Sequence, residues 1–414
     1  MMNKIQGLRL IFVVGFIGLC LSPTFAHDDE TELHHFNPNK LIGLIPNLYG
    51  GDGIVLATAS AASHTAHFSI ESAASINRLN QQIAAEIGGY PFSSSVGGFS
   101  FEFDPVLGDF VGTTKTLGPI IAERAATLGR RKLNLNMSYT FLEYNKFSGQ
   151  SLDNFGVVAR HDADIIGLPD IREQFEDDVV QMNMDIDIRV QILALSATYG
   201  LTDKLDVGFL VPLARVDVNV ESNASVIEAS ENTLFPNIHA FDNTLESPQD
   251  KVSGSATGIG DIVLRAKYHL PQNNWFDLGF ATLMQLSTGD NEEFLGTGDN
   301  TIRPFFIFSR HLSERLTPHF NLGYEFNLTR SKLSSVEYAL GFDYGTNKYT
   351  LAGEFIGSNE LDGDGIGDDI LNTAWGIKWN PAKQYLVALN TQFALNDAGL
   401  RSTFVTTLSF EYNF

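Results

Sequence analysis

Through most of the second half of the chain, apolar and polar residues alternate one by one. In RKLNLNMSYTF (131–141), Leu133, Leu135, Met137, Tyr139 and Phe141 share one parity, and Asn134, Asn136, Ser138 and Thr140 the other. Successive side chains of a strand point to opposite faces, so this segment has one oily face and one wet face. Similar segments recur at about 180–199, 204–221, 258–270, 274–288, 301–312, 316–328, 335–345, 347–357, 370–380, 384–396 and 402–414; with 131–147 they make about twelve. Their connections alternate in length. Short ones lie at 200–204, 271–274, 313–315, 345–347 and 381–383, and long or Gly/Asp-rich ones near 148–179, 222–257, 288–300, 328–334, 358–369 and 397–401. An even strand number with alternating short and long connections predicts an all-β fold, a transmembrane antiparallel β-barrel.

Two segments exceed the roughly 9–11 residues a crossing needs. Met182, Met184, Ile186, Ile188 and Ile192 are even, then Leu193, Leu195 and Tyr199 are odd. Leu205, Val207, Phe209 and Val211 are odd, then Val216, Val218 and Val220 are even, with Pro212 at the change. A missing N–H suits a bulge, so this hairpin is predicted to bend there and to protrude above the outer face. The chain ends LSFEYNF, with Leu408, Phe410, Tyr412 and Phe414 on one face. A terminal Phe on such a strand is the pattern read by barrel-assembly machinery, an expected partner beside outer-membrane lipid.

The front of the chain reads differently. Lys4 and Arg9 precede the apolar run Leu10–Leu21, and Thr24-Phe25-Ala26 offers small residues for cleavage, so 1–26 is expected to be an export signal. Residues 27–130 lack regular alternation and form an N-terminal segment ahead of the barrel at 131–414. Within it, Ile76, Leu79, Ile83 and Ile87 have helical spacing, predicting a short helix over 72–87. The Gly-, Phe- and Ser-rich stretch 88–130 is expected either to enter the lumen as a plug or to lie outside it as a periplasmic appendage. The charges of Glu123-Arg124 and Arg130-Arg131-Lys132 could anchor a plug to lumen carboxylates or face the periplasm.

Composition narrows the function classes. The net charge is −22, which excludes a basic nucleic-acid footprint. The only cysteine, Cys20, lies in the expected signal, so a mature chain would hold no disulfide or thiol nucleophile. After the signal no apolar run is long enough for a helical span. No Gly-x-Ser-x-Gly or comparable constellation appears and the strand histidines are isolated, so an enzyme, such as a lipid hydrolase, is not expected.

Parity nominates the inward groups. They are Asn134, Asn136 and Ser138; Asp261, Arg265, Lys267 and His269; then His319, Asn321, Glu325, Asp343, Glu354, Lys378, Asn390 and Gln392. Their mixed charges either line a solute path or pair with one another in a narrow lumen. Asp362, Asp364 and Asp368 in DGDGIGDD could wrap a Ca²⁺, but no bidentate Glu stands at the twelfth position of that loop, and a solvated external loop is the alternative. No other cofactor is expected. The His/acid cluster at 27–35 fixes no metal geometry and reads as a leader.

Several segments resemble the "MetA-pathway of phenol degradation" family. They are YGLTDKLDVGFLVPL (199–213), TGIGDIVLRAKYHL (257–270) and LSTGDNEEFLGTGDN (286–300). FSFEFDPVLGDF (99–110) and LGPIIAERAATLGRRKLNLNMSY (117–139) are similar to the front part of one subset of the family. The resemblance covers most of 80–414, and Ser287 stands where the family usually has proline. It implies an outer-membrane channel that passively moves small solutes, hydrophobic or aromatic ones among them. A barrel whose external loops serve a structural or surface-interaction role is the alternative.

Overall fold

The computed structural model describes residues 37–49, 74–88, 101–104, 109–112, 115–160, 179–227, 241, 249–270, 276–361 and 369–414. The expected signal, the His/acid leader and Asp362, Asp364 and Asp368 of the candidate calcium loop lie outside them. Helix α1 spans Ala74–Gly88. A small hairpin pairs β1 (Phe101–Asp104) with β2 (Asp109–Gly112). Every later strand joins one sheet. These are β3 (Leu133–Phe147), β4 (Gln150–Ser151), β5 (Asp153–Arg160), β6 (Val179–Thr202), β7 (Leu205–Ile227), β8 (Asp250–Ile259), β9 (Ile262–His269), β10 (Asp277–Leu286) and β11 (Thr301–Ser309). They continue with β12 (Leu316–Asn327), β13 (Ser335–Gly345), β14 (Tyr349–Glu360), β15 (Asp369–Ala382), β16 (Tyr385–Ala394), β17 (Leu400–Ser402) and β18 (Val405–Asn413).

The sheet closes because β3 pairs on one edge with β18 and on the other with β6. Its sixteen segments make twelve antiparallel crossings, since β4, β5, β8 and β17 extend neighbouring ones. Closure leaves no backbone edge to lipid, the condition for strands in a membrane. Large apolar side chains stand exposed around the outside, among them Met137, Leu195, Phe209, Phe306, Leu340, Trp375 and Leu408. A soluble protein rarely shows such a surface. Near the short turns and the C-terminus the belt becomes aromatic. Tyr349 stacks on Trp379 at 6.5 Å, Tyr385 meets Tyr412 at 4.9 Å, and Tyr412 meets Phe414 at 4.4 Å. Such a girdle marks a membrane interface, and short turns mark the periplasmic side. Among the described residues no helix is long and apolar enough to cross a membrane.

The long hairpin departs from expectation. β6 and β7 pair without a shift from Val179↔Ile227 to Gly200↔Asp206, and even residues point inward all along both strands. The pleat keeps its phase; the chemistry changes. Outside, the register row Glu143–Arg189–Asp217 is charged, whereas the row Tyr139–Leu193–Leu213–Ile259 is apolar. Inside, the order reverses: Leu142, Val190 and Val216 are buried above, and Asn136, Ser138 and Thr198 lie below. Below the change the outside meets lipid and the inside is polar; above it the outside meets water and the inside is a dry core. The membrane boundary therefore runs near the row Phe141–Gln191–Arg215, and Tyr139 hydroxyl donates to Gln191 Oε1 at 3.0 Å just there.

A bulge does accompany Pro212, but in the adjacent strand. β7 pairs Leu213↔Ile259 in β8 and Leu210↔Val263 in β9, so β8–β9 carries one extra residue around Gly260-Asp261. Two expected loops also hold strand, β5 in 148–179 and β8 in 222–257. These extensions raise one wall beyond the membrane. The enclosed apolar vault receives residues 41–48 and α1, which buries Ile76, Leu79, Ile83 and Ile87. Burying each such side chain contributes about 1.5–3 kcal/mol, so α1 is seated by its apolar face.

Candidate functional site, a plugged lumen

Residues 115–129 form an irregular loop held inside the barrel. Both its ends lie at short turns: Lys115 pairs with Glu314 at 2.7 Å, and Arg130 N–H donates to Asp203 at 3.2 Å. Its middle reaches Glu354, five residues into β14 from the turn. Gly118 has φ +93, open to glycine at little cost, and Pro119 follows with no N–H to satisfy. The next three N–H groups, of Ile120, Ile121 and Ala122, all donate to the Glu354 carboxylate, at 2.5, 3.0 and 2.9 Å. Successive backbone N–H groups aimed at one point form an anion nest. Here the anion belongs to the wall and the nest to the plug.

The following residues are gripped in turn. Glu123 N–H donates to Asn321 Oδ1 at 2.6 Å, and Asn321 Nδ2 returns a bond to Glu123 O at 3.0 Å. The Glu123 carboxylate meets Arg265 in a two-bond pair and lies 3.8 Å from Lys267 Nζ. Arg124 pairs with Asp343 and with the Thr116 hydroxyl. Lys267 Nζ donates to Ala126 O at 2.6 Å and Arg124 O at 3.2 Å. Leu117 N–H donates to Thr350, Ala125 N–H to Ser309 and Leu128 N–H to Asp206. At the exit Gly200 allows contact, because a Cβ there would fall 1.8 Å from Gly129 O. Removing one partner of a buried ion pair costs about 3–5 kcal/mol, since the other charge is stranded.

Above the plug lies a cavity of about 390 Å³. Ile121, Ala122 and Glu123 line it on the plug side, and Gln82, Ala85 and Glu86 of α1 on the other. Its walls mix apolar groups such as Phe305 and Leu283 with Arg265, Arg303, Glu325 and Glu337. Arg303 lies between two carboxylates, 3.4 Å from Glu337 and 3.9 Å from Glu325. Burial pushes the Glu86 carboxyl up to about 7, against the pull of Arg401 and with added repulsion from Glu337.

The inward residues nominated by parity thus divide into several groups. Arg265, Lys267, Asn321, Asp343 and Glu354 hold the plug, and His319 lies 3.7 Å from Glu354. Glu325 faces the cavity. Asn134, Asn136, Ser138, Asn390 and Gln392 are buried on β3 and β16, and Lys378 is buried on β15 beside Thr350. His269 sits partly buried near the short-turn end. Asp261 is buried beside the bulge and taken up by hydrogen bonds. Its carboxylate accepts from Gln285 Nε2, from the N–H groups of Thr288, Gly289 and Thr297 and from the Thr297 hydroxyl, and so organises the loop 288–297. Asp206, Ser309, Thr350, Arg303 and Glu337 were absent from the nominated set, although the same alternation places them inward. Among the described residues no group of three His, Cys, Asp or Glu side chains is placed to hold a metal.

The model of the family described as "Putative MetA-pathway of phenol degradation" matches residues 172–412. The upstream segments 99–110 and 117–139 lie outside that match. No curated protein matches the chain. Similar solved structures include an outer membrane channel from Pseudomonas putida F1, 15% identical, with 70% of this chain and 98% of that chain covered and a TM-score of 0.44. A toluene transporter from Ralstonia pickettii is 13% identical, with 69% and 90% covered and a TM-score of 0.35.

Proposed function

The chain belongs to the "MetA-pathway of phenol degradation" family, and from that membership and the plugged lumen we propose that it is a non-catalytic outer-membrane channel for passive movement of small molecules. The observation that carries this reading is the cavity of about 390 Å³ between α1 and the plug. A barrel packed only for strength has no use for such a space. The plug is fastened by discrete polar contacts instead of by strand pairing, so it can move while the barrel stays closed. Phe305 and Leu283 beside Arg303 and Glu337 suit a solute with an apolar body and a polar group, as a phenolic has. Diffusion down a gradient needs no further component.

Swelling of liposomes containing the protein, offered phenolics, sugars and fatty acids, tests the reading. Faster swelling with small phenolics is expected. Rates equal to those of empty liposomes, even after the plug is loosened by Glu354→Ala, would defeat the channel and leave a structural or surface role for the raised wall.

A further inference from the structure

The plug's hydrogen bonds to the wall described above reach β7, β9 and β11 to β14. The wall of β16, β18 and β3 is polar too, but its side chains bond to one another and not to the plug: Asn134 Nδ2 donates to Glu411 at 3.1 Å and to Asn413 Oδ1 at 2.9 Å, and the Thr140 and Thr407 hydroxyls lie 2.8 Å apart. Asn134 Oδ1, Asn136 Oδ1, Asn390 Nδ2, Ser409 Oγ and Asn413 Nδ2 are buried polar atoms without a hydrogen-bond partner. All five residues are more than nine-tenths buried and point inward. They are also neighbours: Asn134 lies opposite Asn413, Ser138 opposite Ser409, and Asn390 opposite Thr407. They form a ladder from the short-turn end toward the middle of the barrel.

Buried polar atoms are normally satisfied by protein or water; such atoms also occur on the fastened side, at Arg124 Nε, Asp206 Oδ1, Arg265 Nη1 and His319, so the two walls differ in their bonds to the plug and not in these atoms alone. The two sides of the plug respond oppositely to a shift. Movement away from β14 breaks the nest on Glu354 and the Arg124–Asp343 pair. Movement away from β16 and β18 breaks an apolar contact, Leu117 on Leu386 and Ala388, which has no directional bonds. It also lets water reach the unpartnered amides and hydroxyls. We propose that solute leaves the cavity along the inward face of β16, β18 and β3, where the plug parts from the wall while staying fastened to the other side. The slot so formed is lined by amides and hydroxyls, with Lys378 and Glu411 at its periplasmic end, and it suits water and small hydrogen-bonding solutes.

The inference rests on the channel reading, and the test separates the two. Cys20 is the chain's only cysteine and lies in the expected signal, so single cysteines report cleanly. Four matched sites are buried in the closed form: Ser138 and Ser409 on the proposed route, Ser309 and Thr350 beneath the plug's fastenings. Each is changed to Cys in the full protein, with heat-modifiable mobility confirming a folded barrel. The rate of modification by a small hydrophilic methanethiosulfonate is read by mass, and conductance is read in planar bilayers. Ser138→Cys and Ser409→Cys are expected to react at least tenfold faster than Ser309→Cys and Thr350→Cys, and their modification to reduce conductance. Equal rates, or the reverse order, overturn the proposed route. The expected rates in a protein that never conducts would uphold the parting wall and overturn the channel reading instead.

Discussion

Replacing Glu354 with Ala tests whether the plug is a separable part held by countable bonds. The wild-type carboxylate accepts three plug N–H groups and is almost fully buried. Bonds to a charged acceptor are worth about 1.5–3 kcal/mol each, and stranding a buried donor costs about 1–3 kcal/mol. Part of that is recovered when the freed N–H groups meet water, so the docked plug should weaken by about 3–6 kcal/mol. Each 1.4 kcal/mol is about tenfold in population, so the smaller figure raises the undocked fraction by roughly a hundredfold. The barrel itself should survive, because no strand pairing depends on this side chain. Trypsin cleavage after Arg124, followed by mass, measures exposure of the plug, and planar-bilayer conductance measures the opening. Cleavage at least tenfold faster, together with a larger conductance, is expected. Glu354→Gln should fall between, since it keeps an acceptor and loses the charge. A Glu354→Ala barrel with unchanged cleavage and unchanged conductance would refute the idea that this nest holds the plug.

Other consequences can be measured in the same preparations. Asp343→Ala should destabilise the docked plug by about 3–5 kcal/mol by stranding Arg124, and adding Arg124→Met should restore much of that loss in a double-mutant cycle. Met137→Arg, on the lipid face, should cost about 2–4 kcal/mol in urea unfolding, whereas Glu143→Arg, three rows above on the same face, should be near neutral; equal costs would misplace the membrane boundary. For Glu86, whose carboxyl is raised from 4.5 to about 7, the seated helix binds a proton that the released helix does not between those values. The seat is therefore firmest below about pH 4.5 and weakens as pH rises through 7, so protection of the amides of 76–87, measured relative to their intrinsic exchange rate at each pH, should fall from pH 5 to pH 8, and Glu86→Gln should flatten that fall.

Most of the barrel was legible because strand parity is imposed by two solvents at once, one on each face. RKLNLNMSYTF is as clear as it is because lipid and the polar lumen select opposite chemistries at neighbouring residues. Helix 72–87 was legible for the related reason that Ile76, Leu79, Ile83 and Ile87 face one apolar vault. What failed was the inference from a chemical change to a geometric one. In β6 the apolar residues move from even to odd positions while the pleat keeps its phase, because the strand passes from water into the membrane and the solvent outside is exchanged. A bulge and a solvent exchange leave the same trace in one strand. Only the neighbours tell them apart: β3, β6 and β7 change in one register row, whereas the true bulge at Gly260-Asp261 shifts the register of a single strand.

The same distinction governs the site. Parity assigns a face, so Asp261, Asp343 and Glu354 were nominated alike. Which group each one meets depends on contacts far apart in sequence: Glu354 meets Ile120 to Ala122, Asp343 meets Arg124, and Asp261 meets its own neighbouring loop. The plug's sequence held a usable signal in Gly118-Pro119, a turn that aims the next three N–H groups at one acceptor, a nest recognisable before the acceptor is known. The complementary wall carboxylate could not be chosen from sequence, because several inward acids satisfy the same rule. Function depends on that choice. On the proposed channel reading, an acid that binds the plug would resist opening, one that faces the cavity would meet the solute, and one that organises a loop would do neither. Exchanging the first kind should change conductance, and exchanging the third, as in Asp261→Asn, should loosen loop 288–297 to proteolysis and leave single-channel conductance as it was.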